Sequence, residues 1–154
     1  MVLIGVILFS FAMGFFVINY VMSVVVDELT SIEEINQSTQ VVDSFESVNT
    51  IANRLDYVIL GVFFALILGL IITGWFIGGN PIYMFIYFIF VVIAVILGSI
   101  LANVWEEVTQ MSTFGSTIAS FPISNNILLR LPIYLAVIGF IGIVVMFAKP
   151  YFEQ

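Results

Sequence analysis

The chain has no cysteine and no histidine, and only three of its 154 residues are basic. Without cysteine there is no disulfide framework, no thiolate nucleophile and no zinc-thiolate site. Without histidine there is no imidazole for haem ligation or for Ser-His and Cys-His catalysis. Three basic residues against ten acidic ones set the net charge at −7, the wrong sign for gripping nucleic acid or an anionic surface through a basic patch. Charge of either sign is scarce, at 8% of residues, while 62% are apolar, a balance outside that of soluble globular domains. The expectation is an integral membrane protein with no cofactor, no metal and no direct contact with nucleic acid.

What the chain does have is long uncharged stretches. From Met1 to Val26 no side chain is charged, and a hydrocarbon core of about 30 Å needs only about 20 helical residues. That run has no basic N-terminal flank and no small-residue cleavage signature around Ser23 to Val26, so a cleaved signal peptide is not expected. From Tyr57 to Trp105 the chain is again uncharged. As a single helix rising about 1.5 Å per residue, this run would extend about 74 Å, more than twice the membrane core. It has to fold back, and Gly78-Gly79-Asn80-Pro81 is the natural break, because these residues favour turns and end helices. The spacing predicts two spans joined as a tight antiparallel hairpin. A last apolar run, Leu131 to Ala148, is preceded by Ser124 and Asn125. Both are good N-cap residues, so its helix is expected to begin near Asn126, with Arg130 reaching to the interface.

The fold class expected is all-α, one membrane domain over residues 1–154 with spans at about 2–26, 57–77, 82–105 and 126–148. Four spans place both termini on one side. The basic residues are few, Arg54 and Arg130 on one side and Lys149 on the other, and cytoplasmic termini are the expectation.

The connection 27–56 carries seven acidic residues and one Arg. It reads as helix, because Ser31-Ile32-Glu33-Glu34 matches a capping box and Val41 or Val42, Phe45, Val48, Ala52 and Leu55 recur at helical spacing. Span two is expected to begin as this amphipathic helix. Its acidic face, Asp27, Glu28, Glu33, Glu34, Asp43 and Glu46, is either a solvated surface or a dock for a basic partner. The connection 106–125 has only Glu106 and Glu107 charged, yet carries Val108, Met111, Phe114, Ile118 and Phe121. It is expected to continue span three and then lie across the bundle as an interfacial segment, with Phe121-Pro122 stopping its helix. Tyr57, Tyr83, Trp105, Tyr151 and Phe152 fall at span ends, as an aromatic belt does.

Charges buried in a bilayer are costly and mark proton relays, ion paths or sensors. Apart from Arg130 at an interface, the spans carry none. Asn19, Thr73, Ser99 and Asn103 are the polar exceptions, read as interhelical hydrogen bonds. Small residues recur every fourth position: Gly61, Ala65, Gly69 and Thr73 in span two, Ala94, Gly98 and Ala102 in span three. Such stripes let helix backbones approach closely where lipid removes the hydrophobic drive for association. Ser10-Gly14 and Ala136, Gly139 and Gly142 extend the pattern. An enzyme is not expected, since the neighbouring carboxylates of Glu106 and Glu107 point to different sides of a helix.

The charge-free first span, the acidic connection, the Gly78-Gly79-Asn80-Pro81 turn, Phe121-Pro122 with Asn125 and Pro132, and the Lys149-Pro150-Tyr151 tail together resemble small membrane proteins of viruses that carry an internal lipid bilayer. That resemblance implies a structural component embedded beneath a capsid, with lipid, other membrane or capsid proteins and copies of itself as partners. Two other classes stay open. A holin-like permeabilising protein needs a polar helix face lining a lesion. An accessory subunit of a cellular membrane complex is buried against a catalytic partner.

Overall fold

A computed structural model of the chain describes residues 2–32, 39–77 and 81–152. Its helices are α1 (Val2–Thr30), α2 (Thr39–Asn53), α3 (Leu55–Ile77) and α4 (Pro81–Gln110), then a 3-10 turn (Ser112–Phe114), α5 (Gly115–Ile118), α6 (Pro122–Leu129) and α7 (Leu131–Phe152). No strand occurs among the described residues, so the chain is all-α, and α1, α3, α4 and α7 are long and apolar enough to cross a membrane.

The boundaries differ from the sequence expectation in four places, each with a local cause. First, α1 does not stop at Val26. It runs on through Asp27 to Thr30, whose hydroxyl donates to the Val26 carbonyl at 2.8 Å. The Ser31 hydroxyl likewise donates back to the Glu28 carbonyl at 2.6 Å, so Ser31 serves a helix end; Glu33 and Glu34 of the expected capping box lie outside the described residues. Second, the amphipathic helix does not run unbroken into span two. A turn at Arg54, whose N–H donates to the Ile51 carbonyl at 3.0 Å, separates α2 from α3. Third, Pro122 opens a helix where it was expected to stop one, because its fixed φ and missing N–H suit the first helical position. Fourth, the last span does not begin near Asn126. Arg130, at φ −109° and ψ 18°, breaks the helical path, and α7 starts at Leu131. The Gly78-Gly79-Asn80 part of the hairpin turn lies outside the described residues.

The four long helices form a ring in the order α1, α4, α7, α3, each packed on its two neighbours. Among the described residues α3 and α4 therefore stand opposite each other and share little surface, unlike the tight hairpin the turn predicts. The most extensive pairing is α4 with α7, and its basis is small residues. Ala94, Gly98 and Ala102 are buried, and a Cβ on Gly98 would lie 2.7 Å from Leu135 Cδ1 and 3.4 Å from the Pro132 Cα.

The core gathers Leu8, Ala12 and Phe16 of α1 with Ile59, Phe63, Ala94, Trp105, Phe121, Leu128, Leu131 and Leu135. Phe16 sits at its centre, with ring centroids 5.2 Å from Trp105, 5.2 Å from Phe114 and 5.8 Å from Phe121. These contacts fix the axial position of α1. Gly5 lies against Leu101, Leu131 and Leu135, Phe16 against Trp105, and Tyr20 against Phe114 at 4.8 Å. So α1 enters the ring halfway along it. From Phe16 to Thr30 the helix runs about 21 Å at about 1.5 Å per residue, beyond the level where α4 carries Trp105. No residue from Val17 to Val26 belongs to the core. There α1 packs against α2, and Val17, Ile18, Val21, Met22, Val24 and Val25 remain exposed on it.

Candidate functional site

Because α3 begins at Leu55, Asp56 falls in the first turn of a membrane-length helix, and at 2% exposure it is the buried acid of the bundle among the described residues. Its carboxylate accepts the Ile123 N–H at 2.9 Å, the Ser124 N–H at 2.7 Å, and the Ser124 hydroxyl. The first amides of a helix have no partner within it. Phe121, the residue before α6, provides no side-chain cap, so Asp56 supplies from 68 positions away what a local Ser or Asp normally gives. Negative charge at a helix N-terminus is favourable, and charge-assisted bonds are stronger than neutral ones. Asp56 thus pins the interfacial segment to the bundle.

A second polar tie completes this end. The Trp105 indole N–H donates to Asn125 Oδ1 at 3.0 Å. Trp105 is fully buried, which corrects its expected place in an aromatic belt, whereas Tyr57 and Tyr83 are exposed; the side chains of Tyr151 and Phe152 lie outside the described residues. Ser124 and Asn125, expected as caps of the last span, instead hold Asp56 and Trp105. The Thr117 hydroxyl, also buried here, has no hydrogen-bond partner.

The expected interhelical hydrogen bonds take another form. Thr73 donates to the Gly69 carbonyl at 2.7 Å and Ser99 to the Val95 carbonyl at 3.1 Å, both back onto their own helix, a common recourse of hydroxyls in helices. Asn103 is exposed, and Asn19 is buried on the inner face of α1.

The two small-residue stripes also part company. Ala94, Gly98 and Ala102 are covered by the chain itself. Gly61, Ala65, Gly69 and Thr73 are exposed, and a Cβ on Gly61 or Gly69 would meet nothing within 4 Å. Ala65, Gly69 and Thr73 form one wall of an open groove of about 460 Å³, with Leu3 and Ile4 at the start of α1, and Tyr87 and Met146. Tyr87 lies on Gly142, its hydroxyl occupying the place a Cβ would take there. That buried hydroxyl has no hydrogen-bond partner. Ser10 and Gly14 face outward, and Gly139 and Gly142 are buried.

Of the acidic docking residues, Asp27, Glu28 and Asp43 are exposed; Glu33, Glu34 and the side chain of Glu46 lie outside the described residues. Asp27 and Glu28 stand in the last turn of α1, where the helix dipole disfavours negative charge. Glu106, Glu107, Arg54 and Arg130 are exposed around the end of the ring that holds Trp105. Among the described residues no three acidic side chains come together as a metal site.

Sequence reasoning missed the Asp56 tie. Asp56 reads as the last acid of a solvated connection, and nothing local marks a partner in the next connection but one.

No family model, curated protein or solved structure matches the chain. The class that fold and site define is an all-α bundle with four membrane-length helices. One end is braced by a buried carboxylate.

Proposed function

We propose that this is an architectural integral membrane protein, one component of a larger membrane assembly, with the internal membrane of a virus as the setting its layout resembles. It performs no catalysis. Its acidic connection docks a partner, and its apolar outer surface meets lipid and neighbouring membrane or capsid proteins.

The observation that carries this reading is where the buried polar side chains lie. Asn19, Asp56, Thr117 and Ser124 all sit toward the connection end of the ring, and the Asp56 carboxylate is taken up in bracing it. From Leu8 and Phe63 down to Ile138 and Met146 the buried side chains among the described residues are apolar, apart from the Tyr87 hydroxyl on Gly142, which has no hydrogen-bond partner. A conducting or proton-relaying protein needs polar groups at successive depths; this interior gathers its bonded ones at one end, and the unpartnered Tyr87 hydroxyl is not linked to them. Asp27 and Glu28, kept at the negative end of α1, support a role outside the fold, since they oppose the dipole of the helix that carries them.

The test is ion flux. Liposomes holding the purified protein should release potassium and protons no faster than empty ones across a range of protein-to-lipid ratios. Reproducible single-channel currents in a planar bilayer would overturn the architectural reading in favour of the permeabilising class.

A further inference from the structure

We propose that α1 has a second register, about eleven residues deeper in the ring, in which its apolar stretch fills the groove beside α3.

Two features of the structure each ask for this movement. Leu3 and Ile4, the start of α1, line the groove together with Ala65, Leu66, Gly69, Leu70, Thr73 and Gly74 of α3. From Leu66, in that lining, to Ile77 at the end of α3 is about eleven residues, or about 16 Å of helix. The empty part of the groove is therefore the place α1 would occupy if it spanned the same depth as α3. Its wall has the small side chains that permit a close helix approach, and within the present structure nothing fills the space over Gly69.

At the other end of α1 the opposite fault appears. Val17, Ile18, Val21, Met22, Val24 and Val25 are exposed beyond the level of Trp105, where exposed Arg54, Glu106, Glu107 and Arg130 mark the edge of the apolar zone. Lipid tails do not reach far past such a belt, so Val21, Met22, Val24 and Val25, at least a turn beyond it, would meet water, which is unfavourable for large apolar side chains. Moving α1 inward by about eleven residues at about 1.5 Å each brings Asp27 to the level Phe16 now holds, beside that belt. The stretch from Val2 to Val26 then covers nearly the same depth as the 23 residues of α3. The length left to the end of α3 and the length set by the charged belt are about the same. Eleven residues are also close to three full turns at about 3.6 residues per turn, so the face of α1 that points into the ring is kept.

What holds the present register is the cluster of Phe16 with Trp105, Phe114 and Phe121, which must open for α1 to move. The two registers thus exchange an aromatic cluster for a filled groove. In the raised register the α1–α2 hairpin projects with its acidic side chains, and in the lowered register it is drawn down to the bilayer. This inference stands apart from the proposed function, since an architectural or a conducting protein could have either register.

The absence of cysteine allows a direct test on the full chain in liposomes. In the present register Ile7 lies about eleven residues, or about 16 Å, from the level of Thr73; in the lowered one they face each other. We expect Ile7→Cys with Thr73→Cys to form an intrachain disulfide on mild oxidation. Gly69→Trp, which fills the groove, should suppress that product, and Phe16→Ala should increase it. In parallel, Val21→Cys should be protected from a membrane-impermeant maleimide admitted to both sides, and Gly69→Trp should expose it. The inference is overturned if no intrachain product forms while Val21→Cys reacts like an exposed thiol in every variant. It is overturned equally if Thr73→Cys links only to a second chain, which would assign the groove to another molecule.

Discussion

The carboxylate of Asp56 holds the backbone N–H of Ser124 at 2.7 Å, joining the first turn of α3 to the start of α6. The hydrophobic effect gives helix packing little drive where lipid is the alternative neighbour, because lipid tails are as apolar as leucine, which leaves close dispersion contacts and hydrogen bonds. Polar ties such as this one therefore share with close packing the placement of the interfacial segment. Asp56→Ala leaves two amides of α6 and the Ser124 hydroxyl without their acceptor. The loss should be about 3 kcal/mol, since each orphaned buried donor costs on the order of 1–3 kcal/mol. Asp56→Asn keeps one acceptor oxygen and should lose about half as much. Equilibrium unfolding in mixed micelles measures both, and equal stability of Asp56→Ala and the parent would remove Asp56 from this role.

Tyr87 and Gly142 form a second pair whose terms can be separated. The Tyr87 hydroxyl and ring occupy the position of a Gly142 Cβ, so Gly142→Ala forces the ring aside at a cost of about 1–3 kcal/mol. The same hydroxyl has no hydrogen-bond partner. Tyr87→Phe should then cost less than about 1 kcal/mol or raise stability, because it removes a buried unsatisfied group. In the double variant part of the Gly142→Ala loss should return, read as a coupling in a double-mutant cycle. Strict additivity would mean that the ring does not sit on Gly142.

The two glycine stripes give a contrast within one experiment. Gly98→Ala places a methyl 2.7 Å from Leu135 Cδ1 and should cost about 1–3 kcal/mol by overpacking. Gly61→Ala meets nothing and should be neutral or gain up to about 1 kcal/mol from helix propensity. Thermal unfolding of the two variants side by side decides it, and similar losses at both positions would mean that Gly61 is also covered.

Which of these features the sequence discloses follows from how local each cause is. Uncharged runs such as Tyr57 to Trp105 show the membrane-length helices, because crossing lipid is decided by composition along a single stretch. The α4 stripe was legible as a packing face for the same reason. Three things were not legible. The Asp56 tie joins residues 68 apart, and periodicity carries no record of such pairs. Pro122 reads as a stop or a start depending on whether the amides after it have acceptors, and the acceptor for the Ile123 and Ser124 amides is that distant Asp56. The axial position of α1 is set by how Phe16 meets three other aromatic rings, and a uniformly apolar helix carries no sequence mark of depth. Trp105 illustrates the same limit: its place at a span end predicts a belt, yet the Asn125 acceptor, twenty residues on, lets its indole be buried.

The acidic face can be tested by setting stability against binding. Asp27 and Glu28 are exposed in the last turn of α1, so Asp27→Asn with Glu28→Gln removes charge from the negative end of a helix dipole and should leave the fold equally stable or firmer. If the residues serve a partner, the same change should weaken binding of a polylysine probe to liposomes of neutral lipid that display the protein, and adding Asp43→Asn should weaken it further. The probe must also lose affinity steeply with salt, since exposed charges are screened over about 10 Å at about 0.1 M. Stability and binding then move in opposite directions, which separates a docking surface from side chains that merely keep the connection solvated. Unchanged polylysine binding in the triple variant would leave the acidic face with no partner-recognising role.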